Sequence, residues 1–210
     1  MKALFVCLSF AVLSAVPVHA DPYKDAVQAY KQKKYDAAFA GFLPLADQGD
    51  SGAQYNLGIM YANGRGVEKS LATAATWYGK AARNGHKGAQ YNLGVMHRDS
   101  LGVEQSFYKA KELFEKAAAR GHLNAMYSLG QLYEGGNGVA QDRTIARGWY
   151  EKAAQKNHPQ ALYNLGVYAF NGWGGFEKSP AAARGWFKKS AAAGNTKAQA
   201  MVEALEGVAE

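Results

Sequence analysis

From Gly49 to Ala193, apolar and polar positions recur with a period of 36 residues, in segments 49–84, 85–120, 121–156 and 157–193. The last is one residue longer, through an extra residue near Gly174-Gly175. Ala53, Ala89, Ala125 and Ala161 fall in register, as do Tyr55, Tyr91, Tyr127 and Tyr163, and Leu57, Leu93, Leu129 and Leu165. In the first half of a unit, Ala53, Leu57, Met60 and Tyr61 stand at i, i+4, i+7 and i+8, which is one stripe of a helix. In the second half Ala74, Ala110, Ala146 and Ala183 align. Trp77, Leu113, Trp149 and Trp186 follow, each beside an aromatic: Tyr78, Phe114, Tyr150 or Phe187. Each unit therefore predicts two helices, and their repetition predicts a stacked array.

Local signals agree with those spans. A Gly-rich turn such as Asn63-Gly64-Arg65-Gly66 closes the first helix, and Ser70, Ser106, Asp142 and Ser179 stand where the second begins. Those residue types accept hydrogen bonds from the unpaired N–H groups of a first turn. Pro180 sits at the first helical position, where a missing N–H costs nothing. Basic residues at 80–83 and 116–120 suit the negative end of a helix dipole. Gly58, Gly94, Gly130 and Gly166 each cost about 1 kcal/mol relative to Ala inside a helix, so their recurrence predicts a close approach by a neighbouring helix. Residues 21–48, with Tyr30, Tyr35, Phe39 and Leu43, read as an N-terminal capping pair. Residues 194–210 read as a single capping helix with Glu203, Glu206 and Glu210 on its wet face.

The strings AQYNLGIMYANGRGV (53–67) and AQYNLGVMHRDSLGV (89–103), with WYGKAARNG and WYEKAAQKN closing two units, resemble the Sel-1-like repeat family, a relative of the tetratricopeptide repeats. The resemblance implies an all-α fold, a right-handed α/α solenoid of helix pairs. It also implies an adaptor that binds protein or peptide through its first helices, which line the concave groove in the similar tetratricopeptide domains.

Composition narrows the setting. A charged fraction of 20% and an apolar fraction of 48% fit a folded chain. Residues 1–20 carry Lys2, an apolar run from Ala3 to Val16 and Val18-His19-Ala20, the pattern of a secretory signal cut after Ala20. The expected address is the periplasm or beyond, without a membrane anchor. The single cysteine, Cys7, lies within that segment, so no disulfide scaffold or cysteine–zinc cluster is expected. The net charge of +7 excludes little; it allows an acidic partner, and nucleic acid is not expected for an exported chain.

Candidate chemistry is sparse. His86, His122 and His158 share the register of Asp50 and Asn195, just before a first helix. That register reads as helix capping. Equivalent positions on stacked helices stand about 8–10 Å apart, too far to share a zinc ion. His97 replaces Tyr61 and Tyr133 on the packed stripe and reads as a core histidine. Neither a Gly-x-Ser-x-Gly elbow nor a phosphate-binding Gly-x-x-x-x-Gly-Lys motif occurs, and the turn glycines follow helices, not strands. No catalytic residue, metal or cofactor is expected. A β-lactam-type hydrolase, an activity linked to cysteine-rich relatives, is the enzymatic alternative; those relatives carry a disulfide in each repeat, which this chain does not.

Binding is the stronger expectation. Two ladders run across the first helices: Tyr55, Tyr91, Tyr127, Tyr163 and Asn56, Asn92, Ser128, Asn164. A side-chain amide both donates and accepts, so an Asn ladder would hold an extended backbone. Helical spacing alone leaves open whether these ladders face a groove or knit neighbouring units. Non-repeating positions add specificity candidates: Arg98, Gln131, and the aromatics Phe170 and Trp173 around the insertion, expected to be exposed. The expected function is a monomeric adaptor, scaffold or regulator, or alternatively an immunity partner of a secreted toxin such as a lipase effector.

Overall fold

The computed structural model describes residues 21–206. The expected secretory signal at residues 1–20, with Cys7, and Glu210 of the C-terminal cap lie outside the described residues. Eleven helices and no strands are present among the described residues. A capping pair, α1 (Pro22–Lys31) and α2 (Tyr35–Asp47), leads into four units. These are α3 (Ser51–Asn63) with α4 (Leu71–Arg83), α5 (Lys87–Asp99) with α6 (Phe107–Ala119), α7 (Leu123–Gly135) with α8 (Arg143–Ala154), and α9 (Pro159–Asn171) with α10 (Pro180–Ala192). Helix α11 (Thr196–Glu206) covers the far end. Substantial packing joins consecutive helices only, so the fold is an α/α solenoid whose core is a chain of local clusters.

A side-chain cap starts the second helix of each unit. Ser70, Ser106, Asp142 and Ser179 accept backbone N–H groups from Thr73, Lys109, Ile145 and Ala182. Each satisfies a donor that has no partner within its own helix.

Two sets of glycines set the spacing. A Cβ on Gly58, Gly94, Gly130 or Gly166 would lie 2.6 Å or less from the ring of Tyr78, Phe114, Tyr150 or Phe187. The second-helix aromatic therefore packs directly against the first helix of its own unit at the glycine, which is why a helix-weakening residue recurs there. The second turn glycine makes the other approach: a Cβ on Gly66, Gly102, Gly138 or Gly174 would come within 2.7 Å of the first residue of the preceding second helix, namely Tyr35, Leu71, Phe107 and Arg143. Gly-x-Gly is thus a packing motif between units.

Candidate functional site

The tyrosine ladder lies in the seam between units. Tyr55 stacks on His86 with ring centroids 4.3 Å apart, Tyr91 on His122 at 4.5 Å, and Tyr127 on His158 at 5.0 Å. Each also tilts against the second-helix aromatic of its own unit, as Tyr163 does against Phe187 at 5.2 Å. All four are half-buried. The asparagines are engaged as well: Asn56 donates to the Tyr23 hydroxyl at 3.1 Å and to the Gly52 carbonyl at 2.9 Å. Burial pushes the Tyr78 hydroxyl up to about 12, with Asn92 opposing, and the Tyr55 hydroxyl rises for the same reason. Asn56 is thus occupied within the fold, whereas Asn92 and Asn164 line surface pockets.

The three histidines cap first helices. Backbone N–H groups of Ala89, Ala125 and Ala161 donate to Nδ1 of His86, His122 and His158 at 3.1, 3.3 and 3.2 Å. Asp50 and Asn195 cap α3 and α11 from the same register. An accepting Nδ1 fixes the neutral tautomer with the proton on Nε2; in His158 that nitrogen faces Asn124 Oδ1 at 3.0 Å. Burial lowers the pKa of all three, with Asp50 partly restoring that of His86 and Lys87 depressing His86 and His122. Among the described residues no group of three or more His, Cys, Asp or Glu side chains is placed to hold a metal. His97 stands half-buried, its Nδ1 3.1 Å from the Glu104 carbonyl.

Three pockets follow one another along the first-helix face. A 230 Å³ apolar pocket is lined by Ala62, Leu71, Tyr78, Tyr91, Asn92, Val95, Met96 and Leu101. A 330 Å³ polar pocket joins Tyr91, Arg98, Asn124, Tyr127, Ser128, Gln131, His158 and Gln160. A 420 Å³ pocket, where Tyr127, Tyr163 and Asn164 meet Lys197, completes the row. Tyr91 is shared by the first two pockets and Tyr127 by the last two, so the row is continuous. Arg98 is held side-on by its neighbour Asp99, through Nε at 2.7 Å and a second guanidinium nitrogen at 2.8 Å. Gln131 donates to the Tyr127 hydroxyl at 3.4 Å.

Seven of the sequence candidates therefore line one row: Tyr91, Asn92, Arg98, Tyr127, Gln131, Tyr163 and Asn164. Tyr55, Asn56, Phe170 and Trp173 do not. Phe170 packs on the cluster joining α9, α10 and α11. Trp173, expected to be exposed, is half-buried: it meets Tyr168 edge-on at 5.8 Å and lies under the Arg143 guanidinium at 4.2 Å. The inserted turn folds back because Gly174 and Gly175 take φ of 62° and 81°, letting the Gly174 carbonyl accept from Arg147 at 2.9 Å. Leu101, Asn124, His158 and Gln160 belong to the row and were not among the binding candidates, while Ser128 entered only as a member of the Asn ladder. The one visible signal is Ser128, which interrupts the Asn register with a shorter side chain beside the polar pocket.

Other polar groups serve packing. The Tyr150 hydroxyl donates to Glu134 at 2.6 Å, and the buried Tyr168 hydroxyl has no partner. Burial, then the Glu134 carboxylate, pushes both phenols upward, which keeps them protonated and unsuited to act as bases. On the second-helix surface Lys80, Lys152 and Lys189 lie over Trp77, Trp149 and Trp186 at 3.8, 3.9 and 4.8 Å. These lysines stack on aromatic faces as well as complementing helix ends.

The profile described as Sel1 repeat matches residues 51–86, 88–122, 123–158 and 159–195. The structure is similar to that of a protective antigen of uropathogenic Escherichia coli with an SLR fold, at 34% identity and TM-score 0.83, over 86% of this chain. This chain spans only 39% of that antigen. A Sel1 repeat protein from Oxalobacter formigenes gives 30% identity and TM-score 0.79, covering 86% of this chain and 74% of its own. An immunity protein from Pseudomonas aeruginosa shares the fold at 22% identity and TM-score 0.53, over 82% of this chain and 67% of its own. No curated protein sequence matches the chain.

Proposed function

We propose, from the premise that this chain belongs to the Sel1 repeat family, that it is an exported, periplasmic adaptor, scaffold or regulator binding a protein partner along its first-helix face. Sel1 repeat proteins work through protein–protein contacts and are typically non-enzymatic scaffolds. The observation that carries the reading is the continuous row of pockets across three unit seams, with Tyr91 and Tyr127 as shared walls. Tyrosine supplies large contact area with a polar tip, the combination that dominates interface energetics. Export rests on the signal pattern of residues 1–20.

A second reading is an immunity partner neutralising a secreted toxin; what favours it is the fold shared with the Pseudomonas immunity protein. The two differ in where the partner comes from, not in which face meets it.

Photo-crosslinking tests the face. A benzophenone group at position 131, exposed on α7, and one at position 76, exposed on α4, would each be irradiated in envelope extract. The reading expects a discrete adduct from position 131 and none from position 76. The reverse pattern would sink it. An adduct at position 131 only with a co-expressed neighbouring toxin favours immunity.

A further inference from the structure

The two pockets that share Tyr91 differ sharply in chemistry. On one side the walls are Ala62, Leu71, Val95, Met96 and Leu101, the last being 39% exposed and one of three exposed large apolar side chains among the described residues. On the other side every wall is polar, and Arg98 is the one side chain with a fixed charge. Its guanidinium is already paired, but with the carboxylate of its own chain neighbour, Asp99, which is more exposed than Arg98 itself (40% against 28%). A carboxylate arriving in the groove would take over the same two hydrogen bonds while Asp99 turned out to solvent. The row therefore offers an exchangeable carboxylate position beside an apolar pocket, separated by one aromatic ring. In an extended chain, residues i and i+2 point the same way and stand about 6.6 Å apart, so one such pair can address neighbouring pockets.

We infer that the pockets flanking Tyr91 receive an extended segment of the protein partner that carries an apolar side chain and a carboxylate two residues apart. Asp99 acts as the built-in competitor for Arg98. This inference rests on the reading that the first-helix face binds protein, and it names what that face recognises.

The test is an NMR titration of the 15N-labelled chain with the peptide Ac-Ser-Gly-Leu-Gly-Glu-Gly-Ser-amide, its Glu-to-Gln and Leu-to-Ala versions, and the version with Leu and Glu exchanged. The Leu/Glu peptide is expected to move the amide signals of Arg98, Leu101 and Gln131. It should bind about tenfold more tightly than either single replacement, as a charge-assisted pair or a filled apolar pocket would give. Arg98→Gln should abolish the preference for Glu over Gln. Asp99→Asn should tighten the Glu peptide by about threefold, because the competing surface ion pair is gone. Both variants keep the backbone fold, which the same spectra report. Tighter binding of the exchanged peptide supports the pair with the opposite chain direction. Equal affinity of all peptides, or a Glu peptide indifferent to both Arg98→Gln and Asp99→Asn, overturns the inference. If position 131 still crosslinks a partner in that case, the groove reading survives alone; if it does not, both fall.

Discussion

Replacing His86, His122 and His158 together by Asn should remove the loss of stability that begins as pH falls through the ordinary histidine value of about 6.5, while leaving the helices capped. In each case the cap depends on an unprotonated Nδ1 that accepts a backbone N–H. Protonation would set two donors face to face. Burial depresses the folded-state pKa of all three below the ordinary value, so the unfolded chain binds more protons between the two values. Their stabilisation is therefore complete above the unfolded pKa of about 6.5 and drains away as pH falls toward the folded value. The steepest slope is about 1.4 kcal/mol per pH unit for one histidine and about 4 for three. Half-exposed His86 and His122 will contribute less than His158, which is 7% exposed. Asp21 and Asp99, held low by Lys24 and Arg98, lose their contribution in the same direction but only at lower pH, near the ordinary carboxylate range. Urea unfolding followed by circular dichroism at half-unit steps from pH 5 to 7.5 would measure the slope. A triple Asn variant that kept the wild-type slope would refute the reasoning.

Three further substitutions probe the packing. Gly130→Ala places a Cβ against the fully buried Tyr150 ring and should cost about 2–3 kcal/mol by overpacking, read as a lower urea midpoint; an unchanged midpoint would mean the ring has room to move. Tyr168→Phe deletes a buried hydroxyl with no partner and should raise stability by about 1 kcal/mol; a clear loss would show that the hydroxyl is satisfied. Trp173→Ala should cost about 2 kcal/mol, because the ring is wedged between Tyr168 and Arg143; full stability would return it to the role of a free surface group.

The period of 36 made the helix pairs legible because every unit repeats the same solution to the same packing problem. Gly58 and its equivalents announced a close approach, and the rings of Tyr78, Phe114, Tyr150 and Phe187 make it. The capping role of the histidines was readable from the Asp50 and Asn195 register alone. The site was less legible. A first helix in a stacked array is flanked on two sides, so Tyr55 and Asn56, which look free on a single helical wheel, sit in a seam. Trp173 misled for a different reason: a turn with two glycines at positive φ can fold back on the core, and spacing carries no sign of that. Leu101 and Gln160 line the row through turn and helix-start geometry that no periodicity records.

The central claim, that the first-helix row is the protein-binding face, is tested most directly by the affinity of a crosslinked and identified partner for two charge-insertion variants. Gln131→Arg puts a long cation into the polar pocket beside Arg98, and Thr76→Arg puts the same side chain on the exposed face of α4. Isothermal titration should show a loss of about tenfold or more for Gln131→Arg, as expected for an obstructed interface centre, and wild-type affinity for Thr76→Arg. Wild-type affinity for Gln131→Arg, with binding lost in Thr76→Arg, would place the partner on the opposite face and contradict the account.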